Sequence, residues 1–311
     1  MSALRLLRRP PESSRPGPGP IPPGLLNALD LTIGRRVGGL LAGDYRSSVS
    51  GAGTELAQVR PYVPGDDVRQ IDWNVTARTG ETHVRVHLAE RVLVTWLVLD
   101  TSPSMGFGTA DRRKADVAEG AAVAIGHLAT RRGNRLGIVT FGDANPRTTP
   151  ARQGRAGLLG LLASLREEGL DVSDRPVGST SLGEALSRTG VAAQQRSLVT
   201  VVSDFRGPRD WRIPLLGLAG RHDVVAIEIR DPREQALPDL GELWLVDPES
   251  GRQIRVDTGD AKLRRRFAAA ADDERLELRR TLTSVGVRHV VLTTEGDWLR
   301  PLAAFFRRGS R

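Results

Sequence analysis

From Arg91 onward, short apolar runs alternate with longer amphipathic ones, and this rhythm limits the folds open to the chain more than any other feature. VLVTWLVL (92–99), RLGIVTF (135–141), SLVTVVS (197–203), DVVAIEI (223–229) and VRHVVLT (287–293) have strand length and are rich in Val, Ile and Leu. Helical stretches lie near 111–132, 154–168, 181–190, 209–219, 259–284 and 297–307. Strands separated by helices imply parallel pairing through right-handed crossovers. Strands that are apolar nearly throughout fit a sheet covered on both faces. The expected fold is therefore α/β, a doubly wound, mostly parallel open sheet. One hairpin, ELWLVDPESGRQIRV (242–256), interrupts the rhythm and turns at PESG. Ligands of open sheets bind beyond the carboxyl ends of the strands, near the reversal of strand order.

Upstream the composition changes. Residues 1–23 are poor in core formers and run into RPGPGPIPPG, the pattern of a disordered, proline-rich tail. Residues 24–90 read as a short helix, GLLNALDLTIGRRVGGLLAG (24–43), followed by a small β-rich segment with turn signals at PGDD and TG. Residues 91–308 form the main domain. Cysteine is absent, which excludes disulfides, thiolate metal sites and a cysteine nucleophile. No run approaches the ~20 apolar residues of a membrane span. The basic N-terminus lacks the apolar core of a secretion signal, so the expected compartment is the cytoplasm. The net charge of +8 reads as solvated arginine. No basic cluster is interleaved with aromatics, so nucleic acid is not an expected partner.

The strand ends carry the chemistry. Strand 92–99 runs into Asp100-Thr101-Ser102-Pro103-Ser104, an aspartate followed by two hydroxyls at alternate positions. Strand 197–203 runs into Asp204, and GSTSLGEAL places Thr180 just ahead of a helix. These groups offer oxygen and no soft ligand, the donor set of a hard cation. Magnesium fits best, because it keeps waters and needs few carboxylates, with manganese or calcium as substitutes. Each residue has a plainer reading as a helix cap or a loop acceptor. The joint pattern is the more specific signal.

That set resembles the metal-ion-dependent adhesion site of von Willebrand A domains. The resemblance implies one divalent ion at Asp100, Ser102, Ser104, Thr180 and Asp204, with the aspartates often acting through water, and an open position for a partner's carboxylate. Phe205 follows Asp204 where many such domains have glycine. A longer match, RPYVPGDDVRQIDWNVTAR (60–78), is similar to the signature of the bacterial family called domain of unknown function fifty-eight, a von Willebrand A-like group. The likeness continues through RVHLAERVLVTWLVLDTSPSMGFG, SLVTVVSDF, RHDVVAIEIRDPRE and DWLRPLAAFFRR. It implies an adaptor or co-factor of a MoxR-type AAA+ ATPase in protein maturation or remodelling, engaging a protein that presents an acidic residue.

The signature itself has two readings. Pro64 and Gly65 form a turn, Asp66 and Asp67 bond local amides, Arg60, Arg69 and Arg78 pair with nearby acids, and Trp73 packs against the domain, with Tyr62 beside the turn. The result is either a structural clasp or a partner-docking surface. Catalysis is the alternative to binding: Ser102, Ser104 or a metal-bound water could serve a hydrolase. G-x-S-x-G is missing, however; His127 in mid-helix and His289 within a strand read as structural, His222 falls at the amino edge away from the site, and only His83 and His87 remain as candidate bases. Phosphate-cradling glycine motifs are also missing. No enzymatic activity is expected.

Overall fold

The computed structural model describes residues 17–19, 55–88, 93–130, 134–142, 147–167, 181–247 and 251–308. The chain divides into two units, Arg35–Val92 and a larger one formed by Met1–Gly34 with Leu93–Arg311. The expected helix at 24–43 and the residue Thr180 lie outside the described residues.

In the smaller unit, β1 (Glu55–Pro61) pairs antiparallel with β2 (His83–Leu88). Between them lies helix α1 (Trp73–Thr79). Asp72 caps α1 by accepting the amides of Asn74 and Val75, and Gly80, at φ 73°, ends it in the left-handed conformation.

The larger unit is built on six strands: β3 (Val94–Asp100), β4 (Arg135–Phe141), β5 (Thr148–Gln153), β6 (Leu198–Ser203), β7 (Asp223–Arg230) and β10 (Arg288–Thr293). Their order is β10-β7-β6-β3-β4-β5. All neighbours are parallel except β5, which runs antiparallel to β4 at the edge. This is the doubly wound, mostly parallel α/β sheet that the apolar rhythm predicts. Strand β5, TTPARQ, escapes that reading because its exposed side chains carry no apolar pattern. The hairpin expected at 242–256 is β8 (Glu242–Val246) with β9 (Gln253–Asp257).

Helices cover both faces because the central strands bury both rows of side chains. Trp96 and Val98 of β3 point into a core with Leu182 and Leu186 of α4 (Leu182–Ala192), Leu215 and Leu218 of α5 (Arg212–Ala219) and Leu282 of α6 (Ala261–Ser284). Against the other face lies α2 (Lys114–Ala129), rich in alanine and glycine. Gly126 of α2 lies so close to α3 (Gly154–Glu167) that a β-carbon there would sit 2.5 Å from Leu161 Cδ2. The last described helix is α7 (Leu299–Arg308). Among the described residues no helix is long and apolar enough to cross a membrane.

Candidate metal centre

Chain order leaves β3 by way of β4 and β5, then returns on β3's other side as β6. The strand order therefore reverses at β3, and the carboxyl ends of β3 and β6 flank the crevice where such sheets bind ligands. Asp100 is the last residue of β3, and Asp204 follows the last residue of β6.

Both carboxylates are buried, at 5% and 4% exposure. Asp100 Oδ1 accepts the amide of Ser102 at 3.0 Å, and Oδ2 accepts the hydroxyl of Ser203. The Ser102 and Ser104 hydroxyls share a hydrogen bond of 3.0 Å. A 3-10 turn over Pro103–Gly106 holds this spacing, with the Met105 amide bonded to the Ser102 carbonyl. Gly142, just past β4, has φ 97°, and a β-carbon there would lie 2.6 Å from the Ser102 amide nitrogen. Only glycine combines that dihedral with that closeness.

The Asp204 side seats a cation of the protein's own. Asp204 Oδ1 accepts the amide of Arg206 at 2.9 Å, and Oδ2 accepts the ammonium of Lys114 at 2.6 Å. Lys114 is fully buried at the start of α2 and also bonds Glu234 at 2.7 Å. Burial works against its charge, but the carboxylates of Asp204 and Glu234 outweigh that and hold its pKa above the ordinary lysine value. Phe205 has φ 55°, making it the sole described non-glycine residue in the left-handed region. The backbone keeps the shape glycine would favour, and the Phe205 ring packs edge-on against Trp211 at 5.9 Å.

The arrangement fits a hard cation. Among the described residues the groups able to ligate an ion here are carboxylates and hydroxyls, and Asp100 makes no ion pair. Burial, and then the nearby Asp204 carboxylate, push its carboxyl up to about 7, and a cation beside Asp100 would favour its ionised form. A cavity of about 180 Å³ opens beside Asp100 and Ser102, with Ser181, Ser203, Phe205 and Arg206 also in its wall; Ser104 and Asp204 sit behind that wall and do not line it. The structure brings together Asp100, Ser102, Ser104 and Asp204 at one strand-end crevice. Thr180 falls outside the described residues, and its neighbour Ser181 lines the cavity while capping α4 through the Glu184 amide.

Sequence reading missed Ser203, Gly142 and Lys114. Lys114 carried a signal: it shares a helical face with the buried Val117, Ala118 and Ala121. Of the histidines, His289 is tied to Glu228 at 2.8 Å within the sheet, and His222 is buried at the amino end of β7.

In the smaller unit the signature closes on itself. Arg60 grips Asp66 with two hydrogen bonds of 2.6 and 2.7 Å, which hold the Asp66 carboxyl below the usual range. Asp66 also accepts the Val63 amide, across a turn in which Gly65, next to Pro64, has φ 108°. Tyr62 gives its amide to the Thr82 carbonyl, Asp67 accepts the amide of Arg69, and Arg78 bonds back to the Asn74 carbonyl. Two expectations need correction. Trp73 is 70% exposed rather than packed: it is the first residue of a short helix whose cap, Asp72, is the buried member. Among the described residues Arg78 meets a backbone carbonyl and no acid.

With both sites described, the chain can be placed. The model of the family described as "Protein of unknown function DUF58" matches residues 58–277, and the chain belongs to that family. It is 40% identical over 289 residues to the uncharacterized protein Rv1480 of Mycobacterium tuberculosis, covering 92% of this chain and 90% of that one. The uncharacterized protein Mb1516 of Mycobacterium bovis matches to the same extent. Among solved structures, the conserved hypothetical protein BatB from Bacteroides thetaiotaomicron is similar at 14% identity, over 70% of this chain and 98% of that one, with a TM-score of 0.44. A von Willebrand factor type A structure from Catenulispora acidiphila is similar at 17% identity, over 74% of this chain and 44% of that one, with a TM-score of 0.35.

Proposed function

We propose that this chain is a metal-dependent protein-binding module rather than an enzyme. Asp100, Ser102 and Ser104 hold one divalent ion, magnesium or in its place manganese or calcium. Asp204 orients the site through water, and Thr180 is the further ligand that the family likeness implies. The observation that carries the reading is the pair of serine hydroxyls 3.0 Å apart beside two buried carboxylates, at the reversal of strand order. When bound, the ion supplies a positive centre, held mostly by neutral hydroxyls, that attracts a partner's Asp or Glu. The protein's own groups do the rest. Lys114 fixes Asp204, Ser203 fixes Asp100, and the half-exposed Arg206 lines the cavity and adds positive charge to its rim.

The family likeness supports a finer reading, in which the partner belongs to a pathway served by a MoxR-type AAA+ ATPase in protein maturation or remodelling. Affinity capture on the immobilised full chain tests the module. A partner retained in magnesium, released by chelator and lost in Ser102→Ala supports it. A partner held equally under all three conditions refutes it.

A further inference from the structure

Gly17, Pro18 and Gly19 lie within the stretch whose composition predicts a disordered tail, yet they are packed. The indole N–H of Trp298 donates to the Pro18 carbonyl at 3.0 Å. Trp298 itself is 3% exposed. Beneath both residues is the bare backbone of Gly120 in α2: a β-carbon there would lie 2.4 Å from the Trp298 ring and 2.9 Å from Pro18 Cβ. The flanking glycines have φ values of 81° and 75°, so the segment forms a Gly-Pro-Gly knuckle that few other residues could adopt. At Gly19 a β-carbon would fall 2.7 Å from Arg112 Nη2. Arg112 is 8% exposed and donates to the Gly296 carbonyl at 3.2 Å, while Asp111 accepts the Gly296 amide at 2.8 Å. Gly296 is thus pinned from both sides, two residues before Trp298.

We propose that Trp298, Gly120 and Arg112 form a docking cleft for a glycine-proline segment, that its resident occupant is Gly17-Pro18-Gly19 of this chain, and that the same sequence supplied in trans can replace it. The chemistry matches this ligand class. Proline has no N–H to satisfy, its carbonyl is free to accept, and its ring is a compact apolar knob for a glycine floor. An indole N–H and a guanidinium edge read the carbonyl and the close-lying glycine. Among the described residues the contact is small, with one hydrogen bond and one ring. A free peptide would therefore bind at roughly millimolar strength, while tethering supplies an effective concentration of about the same order. With the two quantities matched, the tethered segment fills the cleft roughly half of the time and is exchangeable. This inference does not depend on the metal reading.

The test uses the full chain labelled with ¹⁵N-tryptophan, with the Trp298 indole signal assigned by its loss in Trp298→Phe. Two variants break the strap: Pro18→Ala alone, and Gly17→Ser, Pro18→Ser and Gly19→Ser together. In both, the Trp298 indole N–H is expected to shift and to exchange with water at least about tenfold faster. Adding the peptide RPGPGPIPPG should return the signal towards its original position saturably. An unchanged Trp298 signal in both variants would overturn the contact. A shifted signal that the peptide fails to restore would overturn the cleft.

Discussion

Lys114 is the residue on which the charge balance of the site turns. Its ammonium is wholly buried and bonded to two acids. Replacing it by an apolar residue of similar length leaves Asp204 without the ammonium it accepts and leaves Glu234 with only the more distant Arg206, at 3.9 Å. Lys114→Met is expected to cost roughly 3–5 kcal/mol in chemical denaturation, and an unchanged denaturation midpoint would show that the pair is not formed. Gly142 is the second such residue. Its left-handed dihedral and its approach to Ser102 predict that Gly142→Ala costs roughly 1–3 kcal/mol and weakens magnesium binding, read by thermal melting and by titration. That Asp100, Ser102, Ser104 and Asp204 stand at strand ends was legible in the sequence, because strand ends and alternate hydroxyls leave a linear trace. Lys114 and Gly142 were not singled out, because their importance depends on which elements pack above and beside the loop.

At the scale of elements, Asp231 ties three loops together. Its carboxylate accepts the amide and hydroxyl of Thr109, the hydroxyl of Thr294 and the amide of Arg233. The loops after β3 and β10 are thereby fastened to the end of β7. Burial would raise its carboxyl, but the hydrogen bonds, those from Thr109 foremost, outweigh it and hold the group below its ordinary value. A depressed folded-state value stabilises the fold above the unfolded value, about pH 4, and that contribution fades as pH falls through the folded one. Asp231→Asn should therefore cost about 1–3 kcal/mol near neutrality, and its gap from wild type should narrow on acidification. A gap independent of pH would contradict this. The helices and central strands were legible from their periods, and strand 135–141 matches to the residue. The edge strand β5 and the short helix α1 were not, since one is polar and the other depends on Asp72 and Gly80 more than on any apolar stripe.

For the molecule as a whole, the family match spans both units, from residue 58 in β1 to residue 277 in α6. The signature's bonds hold its own turn and cap together, and Val63, Val68 and Trp73 stay exposed on it. The larger unit places its conspicuous oxygens at the one reversal of its sheet. If those oxygens hold an ion, magnesium at about a hundred times its dissociation constant should stabilise the chain by about 2.7 kcal/mol. Calorimetric titration of magnesium into the full chain is the most direct measurement. Saturable one-to-one binding that is lost in Asp100→Asn and weakened in Ser102→Ala is the predicted result, with both variants keeping the wild-type circular dichroism. Absence of binding in the wild type, or equal binding in all three proteins, would contradict a metal held by this loop.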